Sequence, residues 1–160
     1  MKLLKTLLLS VTFTSAFLLW LTRSEWMPSL SSFALSDNVV FYRFMHLSMS
    51  WFFLVNAIEF KKYATEFVLA LLVGCILAFD MYHHYTLHLI FTAGTILLGC
   101  FTLLFNVNKG LNSAFALICV LGAVGSFTTG YFIDSFHFLL AEVICMAFLA
   151  AGKLKEIYNT

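Results

Sequence analysis

The stretch from Tyr85 to Phe105 reads YTLHLIFTAGTILLGCFTLLF and contains no Asp, Glu, Lys or Arg. A helix needs roughly 20 mostly apolar residues to cross a bilayer, and this run supplies them without a break. A barrel strand would instead show about 10 residues of alternating polarity. The run therefore predicts a transmembrane helix.

Five further stretches read the same way: Leu3–Leu21, Val39–Phe60, Tyr63–Phe79, Leu111–Ile133 and Phe136–Gly152. The expected fold class is all-α, a polytopic membrane protein built as a six-transmembrane-helix bundle. It forms one integral membrane domain over residues 1–160. Turn signals separate the spans at Glu59 to Lys62, Asp80 to His84, Asn106 to Gly110 and Asp134-Ser135. The one long connection, Thr22 to Asn38, holds the sole proline, Pro28, and is serine-rich.

Composition agrees. Hydrophobic residues make up 62% of the chain and charged residues 11%, far from the roughly 25% charged of a soluble domain. A net charge of +1 without a basic block excludes a nucleic-acid partner. Membrane lipid, and protein partners within the membrane, are the expected company.

With six spans both termini share a side. Lys2, Lys5, Lys61, Lys62, Lys109, Lys153 and Lys155 would fall on it, against Arg23 and Arg43 on the other. The excess of Lys and Arg predicts cytoplasmic termini and an external Thr22–Asn38 loop, in a bacterial inner membrane or a eukaryotic endomembrane. Lys2, Lys5 and Thr14-Ser15-Ala16 would also suit a cleaved signal peptide, but the apolar run continues to Leu21, which favours a retained helix. Cys75, Cys100, Cys119 and Cys145 lie on four spans without a CxxC and read as packing residues. Ala70, Gly74 and Ala78, and likewise Gly122, Ser126 and Gly130, read as close-packing seams.

This topology places all five histidines at the outer face. His46 stands near the outer end of the second span, His83, His84 and His88 at the third–fourth junction, and His137 at the start of the sixth. Asp37, Asp80 and Asp134 join them. Asp80, His84 and His88 are spaced i, i+4, i+8. If the fourth helix begins near Asp80 they share one face. That spacing suits a divalent metal such as zinc, or a carboxylate orienting a proton-transferring imidazole. Interfacial His and Tyr at headgroup depth are the plainer explanation for part of the cluster.

Glu142 and Arg43 lie inside spans, where an ionised group costs roughly 2.5–3.5 kcal/mol on insertion scales and so calls for a partner. Glu142 paired with Arg43 or His46 is the economical expectation. Arg43, His46, Asp134 and His137 would then bind a polar headgroup. Asn56 and Glu59 read as snorkelling to water at the inner end.

The segment Met27-Pro28-Ser29-Leu30-Ser31-Ser32, followed by Phe41-Tyr42-Arg43-Phe44 at the start of the second span, resembles the DRAM/FRAG/SFK group of six-helix membrane proteins. Phe138 to Glu142 is similar to the final helix of that group's GPI-anchor lipid-remodelling members, where an acid stands at the position matching Glu142. The likeness covers the whole chain in topology and a small part of it in residues. It implies a protein handling lipid on the outer or luminal side, and brings no agreed catalytic mechanism.

Three functions follow as expectations. The first is lipid remodelling by acyl transfer or hydrolysis, with His84 or His88 as general base oriented by Asp80, and Glu142 or Arg43 placing the headgroup. No serine elbow supports it. The second is a non-catalytic lipid-binding protein or accessory subunit of a larger membrane complex. The third, weaker, is a small transporter using Arg43 and Glu142. Haem is disfavoured, because His46 and His88 have no matching pair toward the inner side.

Overall fold

The computed structural model describes the backbone of residues 1–22, 29–35, 37–60, 63–105, 112–132 and 135–159, and the side chains among these except at 35, 60, 63, 131, 132, 135–138 and 159. Among the described residues six α-helices follow one another: α1 (Lys2–Leu21), α2 (Val39–Phe60), α3 (Tyr63–Ala78), α4 (Tyr85–Phe105), α5 (Ser113–Phe132) and α6 (Ser135–Asn159). A short 3-10 helix, Leu30–Leu35, lies between α1 and α2. There is no strand among the described residues.

Each helix packs against its neighbours in the chain, and α6 closes the ring against α1. Four clusters of buried residues result among the described residues, one of them Leu103, Ala116 and Cys119 of α4 and α5. Nearest the 3-10 helix, Ala16 and Leu19 of α1 meet Leu30, Phe33, Tyr42, Met45, Leu139 and Val143. Toward the chain termini, Leu9, Phe52, Phe53, Leu69, Ala70, Val73 and Ile157 form a second cluster. Cys100, Ala123 and Cys145 join α4, α5 and α6. The described cysteines are all free thiols.

Among the described residues three helices are long and apolar enough to cross a membrane: α1, α4 and the Ser113–Gly130 part of α5. The expectation of six such helices is met by three among the described residues. α2 carries Arg43, His46, Asn56 and Glu59. α3 has 16 residues, about 24 Å at 1.5 Å per residue, shorter than a typical hydrocarbon core. α6 carries Glu142 and ends in Lys153, Lys155 and Glu156.

The end of α6 is the largest departure from the expected boundaries. The helix runs on past Gly152 to Asn159 because its charges turn inward. Lys153 Nζ lies 2.8 Å from Glu66 Oε1 on α3 and 3.3 Å from Glu156 Oε2. All three side chains are buried. Lys5, also buried, pairs with Glu59 of α2. Glu59 is therefore an ion-pair partner as well as a water-facing group, and Asn56 is 2% exposed rather than snorkelling outward.

The small-residue seams are realised unevenly. A Cβ added at Gly122 would stand 2.6 Å from the Phe148 ring of α6, so α5 and α6 approach closely there. At Gly74 a Cβ would meet nothing within 4 Å.

Candidate functional site

The site forms where the 3-10 helix folds into the end of the bundle away from the termini. Four elements meet there: the 3-10 helix, α2, α4 and α6. Ser29 and Ser32 shape the 3-10 helix. Ser32 N–H donates to the Ser29 carbonyl at 3.1 Å, Ser29 N–H donates to Ser32 Oγ at 3.3 Å, and the two hydroxyls lie 3.1 Å apart. These two serines hold each other, and Ser31 is left facing α4.

Ser31 Oγ stands 2.6 Å from His88 Nε2. The other ring nitrogen, Nδ1, stands 2.9 Å from the Phe79 carbonyl. A carbonyl can only accept, so Nδ1 carries a hydrogen and donates it. In the neutral ring Nε2 is then an acceptor, and Ser31 O–H donates to it. Both residues are buried, Ser31 at 8% and His88 at 5% exposed. A hydroxyl donating to an imidazole whose far nitrogen is held by a third group is the arrangement that activates a serine nucleophile.

Glu142 of α6 holds the same segment from below. The Leu30 N–H donates to Glu142 Oε2 at 2.7 Å. The partner expected for Glu142, Arg43 or His46, is thus replaced by a backbone amide. Arg43 lies on the exposed face of α2. His46 faces inward, its Nδ1 3.0 Å from the Tyr42 carbonyl and its ring 4.4 Å from the Tyr42 ring.

Two cavities open at this site. An outer one of about 100 Å³ is lined by Ser29, Ser31, Met81, Tyr85, His88 and Glu142, among others. A deeper one of about 90 Å³ shares Ser31 and Glu142 and adds His46, Met45, Cys145 and Met146. Of the residues expected at the site, His88, His46 and Glu142 are brought together.

Asp80, His84 and His88 are not gathered on one face. α4 begins at Tyr85, with the His88 N–H bonded to the His84 carbonyl at 2.9 Å. Asp80 lies before it in a turn that its own side chain builds. Asp80 Oδ1 accepts the Tyr82 and His83 N–H groups, each at 2.9 Å, and its two oxygens lie 3.0 Å from His83 Nδ1. Short acidic side chains favour such turns over helix starts further upstream. The His83 backbone N–H, with the other bonds of the turn, holds the Asp80 carboxyl below its ordinary value. His84 is exposed and sets its ring edge-on to Phe79 at 5.4 Å.

The zinc-type set of Asp80, His84 and His88 is corrected accordingly. Among the described residues no group of three or more His, Cys, Asp or Glu side chains is placed to hold a metal ion. Asp134 and the His137 side chain lie outside the described residues.

Ser31 was not singled out as a chemical residue by sequence reasoning, although it stands inside the serine-rich loop segment. Its only signal was the Pro-Ser-x-Ser pattern. No protein family, curated protein or solved structure matches the chain.

Proposed function

We propose that this chain is a six-span membrane protein with cytoplasmic termini that moves acyl groups on lipid or glycolipid at the outer leaflet. Ser31 is the nucleophile and His88 its general base. The single observation that carries this reading is the 2.6 Å contact between Ser31 Oγ and His88 Nε2, with His88 Nδ1 held by the Phe79 carbonyl.

The orientation rests on charge. On the six-span reading the seven lysines would share the side of the termini and the two arginines the other, the bias that favours cytoplasmic termini. The site lies at the end of the bundle away from the termini, which this reading makes the outer side. The resemblance of the Pro28-Ser29-Leu30-Ser31 segment and of Glu142 to the DRAM/FRAG/SFK group supports lipid on that side as the substrate class.

The chemistry balances with the chain's own residues. Ser31 Oγ attacks an ester carbonyl, and His88 Nε2 takes the hydroxyl proton. The ester C–O bond breaks, and His88 returns that proton to the leaving alcohol oxygen. The acyl group on Ser31 is then taken by water, giving hydrolysis, or by a second lipid alcohol, giving transfer. Glu142 positions Ser31 by fixing the Leu30 amide, one residue away.

The test is ester turnover of a fluorescent phospholipid by the full chain in proteoliposomes. Ser31→Ala and His88→Ala should each lower turnover by about 100-fold or more. Turnover unchanged in both variants would sink the enzyme reading and leave a lipid-binding or accessory role.

A further inference from the structure

His46 of α2 and His88 of α4 are tied down in the same way. His88 Nδ1–H donates to the Phe79 carbonyl at 2.9 Å, and His46 Nδ1–H to the Tyr42 carbonyl at 3.0 Å. A carbonyl only accepts, so each neutral ring keeps its hydrogen on Nδ1 and a lone pair on Nε2. The lone pair of His88 meets Ser31 Oγ. That of His46 has no hydrogen-bond partner among the described residues, although the side chain is 8% exposed.

The two rings border different cavities. Among the described lining residues His88 belongs to the outer cavity and His46 to the deeper one, while Ser31 and Glu142 belong to both. With Nδ1 bonded back to its own helix, Nε2 is the end of the His46 ring that reaches the deeper cavity. Glu142 gives Oε2 to the Leu30 N–H, and no described residue bonds its Oε1.

A buried water needs about two to four polar partners, and each takes roughly 30 Å³. The deeper cavity, of about 90 Å³, has space for about three waters. Its polar partners are His46 Nε2, the Glu142 carboxylate and Ser31 Oγ. Thr92 and Thr95 also line it, and their hydroxyls donate to the His88 and Phe91 carbonyls, which leaves their oxygens as acceptors. A lipid alcohol would bring its glycerol and chains with it, and a volume of about three waters does not admit them.

We infer that the acyl group on Ser31 is released to water held in the deeper cavity, with His46 as the base that takes the water's proton. This deepens the function proposed above and rests on its assignment of Ser31 as nucleophile. It makes the chain a lipid ester hydrolase, in which His88 serves the formation of acyl-Ser31 and His46 its removal.

The step balances. His46 Nε2 takes one proton from a cavity water as the water oxygen bonds to the acyl carbon. The bond from that carbon to Ser31 Oγ breaks. The proton on His46 passes through a second cavity water to Ser31 Oγ, which leaves a free acid and restores the hydroxyl.

The test uses the full chain in proteoliposomes with a fluorescent phospholipid, and follows the acyl group on the Ser31 peptide by mass spectrometry after an acid quench. His46→Ala should load Ser31 at the wild-type rate and release it about 100-fold more slowly, so acyl-Ser31 accumulates. His46→Gln keeps the side-chain bulk and can still bond a water, but takes no proton, and it should accumulate acyl-Ser31 as well. Added imidazole should speed release in His46→Ala, a rescue that a packing role would not show. Labelling of Ser31 by an alkyl fluorophosphonate at the wild-type rate certifies that each variant is folded.

Normal labelling without accumulation of acyl-Ser31 would overturn the inference and leave Ser31 as nucleophile. Wild-type turnover in His46→Gln would overturn the role of His46 as base. Transfer to an added lipid alcohol in preference to water would overturn water as the acceptor. No labelling of Ser31 in the wild type would overturn the nucleophile and the inference with it, so the two failures are distinguishable.

Discussion

Ser31 Oγ and His88 Nε2 are 2.6 Å apart although 57 residues separate them in the chain. The contact exists because two turns converge. The Ser29–Ser32 bonds present Ser31 toward α4, and the Asp80 turn delays the start of α4 until Tyr85. The Phe79 carbonyl, at the end of α3, then lies within reach of His88 Nδ1.

Glu142 should act as a positioning residue. Glu142→Gln keeps a carbonyl that can accept the Leu30 N–H, whereas Glu142→Leu leaves that amide without its partner. An unsatisfied buried donor costs about 1–3 kcal/mol. Hydrogen exchange at Leu30 should accelerate in the leucine variant and stay near wild type in the glutamine variant. Equal exchange in both would remove the role.

The Lys153–Glu66 pair should be costly to break from one side. Lys153→Met leaves a buried carboxylate uncompensated, which is worth about 3–5 kcal/mol. Glu66→Leu added to it should restore the part of the loss that Glu66 carries, since the buried Glu156 also loses its bond to Lys153. Thermal unfolding in detergent, run as a double-mutant cycle, reads both. A single variant melting like wild type would contradict the pairing.

The legible part of the fold was its apolar runs. α2 and α4 keep their expected bounds, because continuous hydropathy and the turn residues at their ends coincide. The end of α6 was not legible, since Lys153 and Glu156 look like a solvated tail until Glu66, 87 residues away, is placed beside them. His46, His88 and Glu142 could be named from their depth alone. Their grouping with Ser31 could not, because a serine without an elbow motif carries no local mark of its partner. The Asp80, His84, His88 face failed for a local reason: Asp80 bonds the amides of Tyr82 and His83 instead of entering the helix.

Asp80 should titrate below an ordinary aspartate. Its carboxylate accepts bonds in the folded turn, so the charged form is favoured there. The sign follows: the stabilisation is present above the unfolded-chain value and fades as pH falls through the lowered folded one. Carboxyl-carbon NMR should show the depressed midpoint, and Asp80→Ala, which removes the acceptor of the Tyr82 and His83 N–H groups, should loosen residues 80–84. A midpoint at or above the ordinary aspartate value would contradict the turn.

Gly122 should tolerate no side chain cheaply. A Cβ there would lie 2.6 Å from aromatic carbons of Phe148. Gly122→Ala should cost about 1–3 kcal/mol through overpacking, and Phe148→Leu in the same chain should recover part of it. Melting temperatures of the three variants decide this, and a neutral Gly122→Ala would contradict the close approach of α5 and α6.

The most direct measurement of the central claim is peptide mass spectrometry after exposing the full chain to a long-chain alkyl fluorophosphonate. The account predicts one covalent adduct on Ser31, absent in Ser31→Ala and formed about 100-fold more slowly in His88→Ala. An adduct on Ser29 or Ser32, no adduct at all, or an unchanged rate without His88 would contradict it.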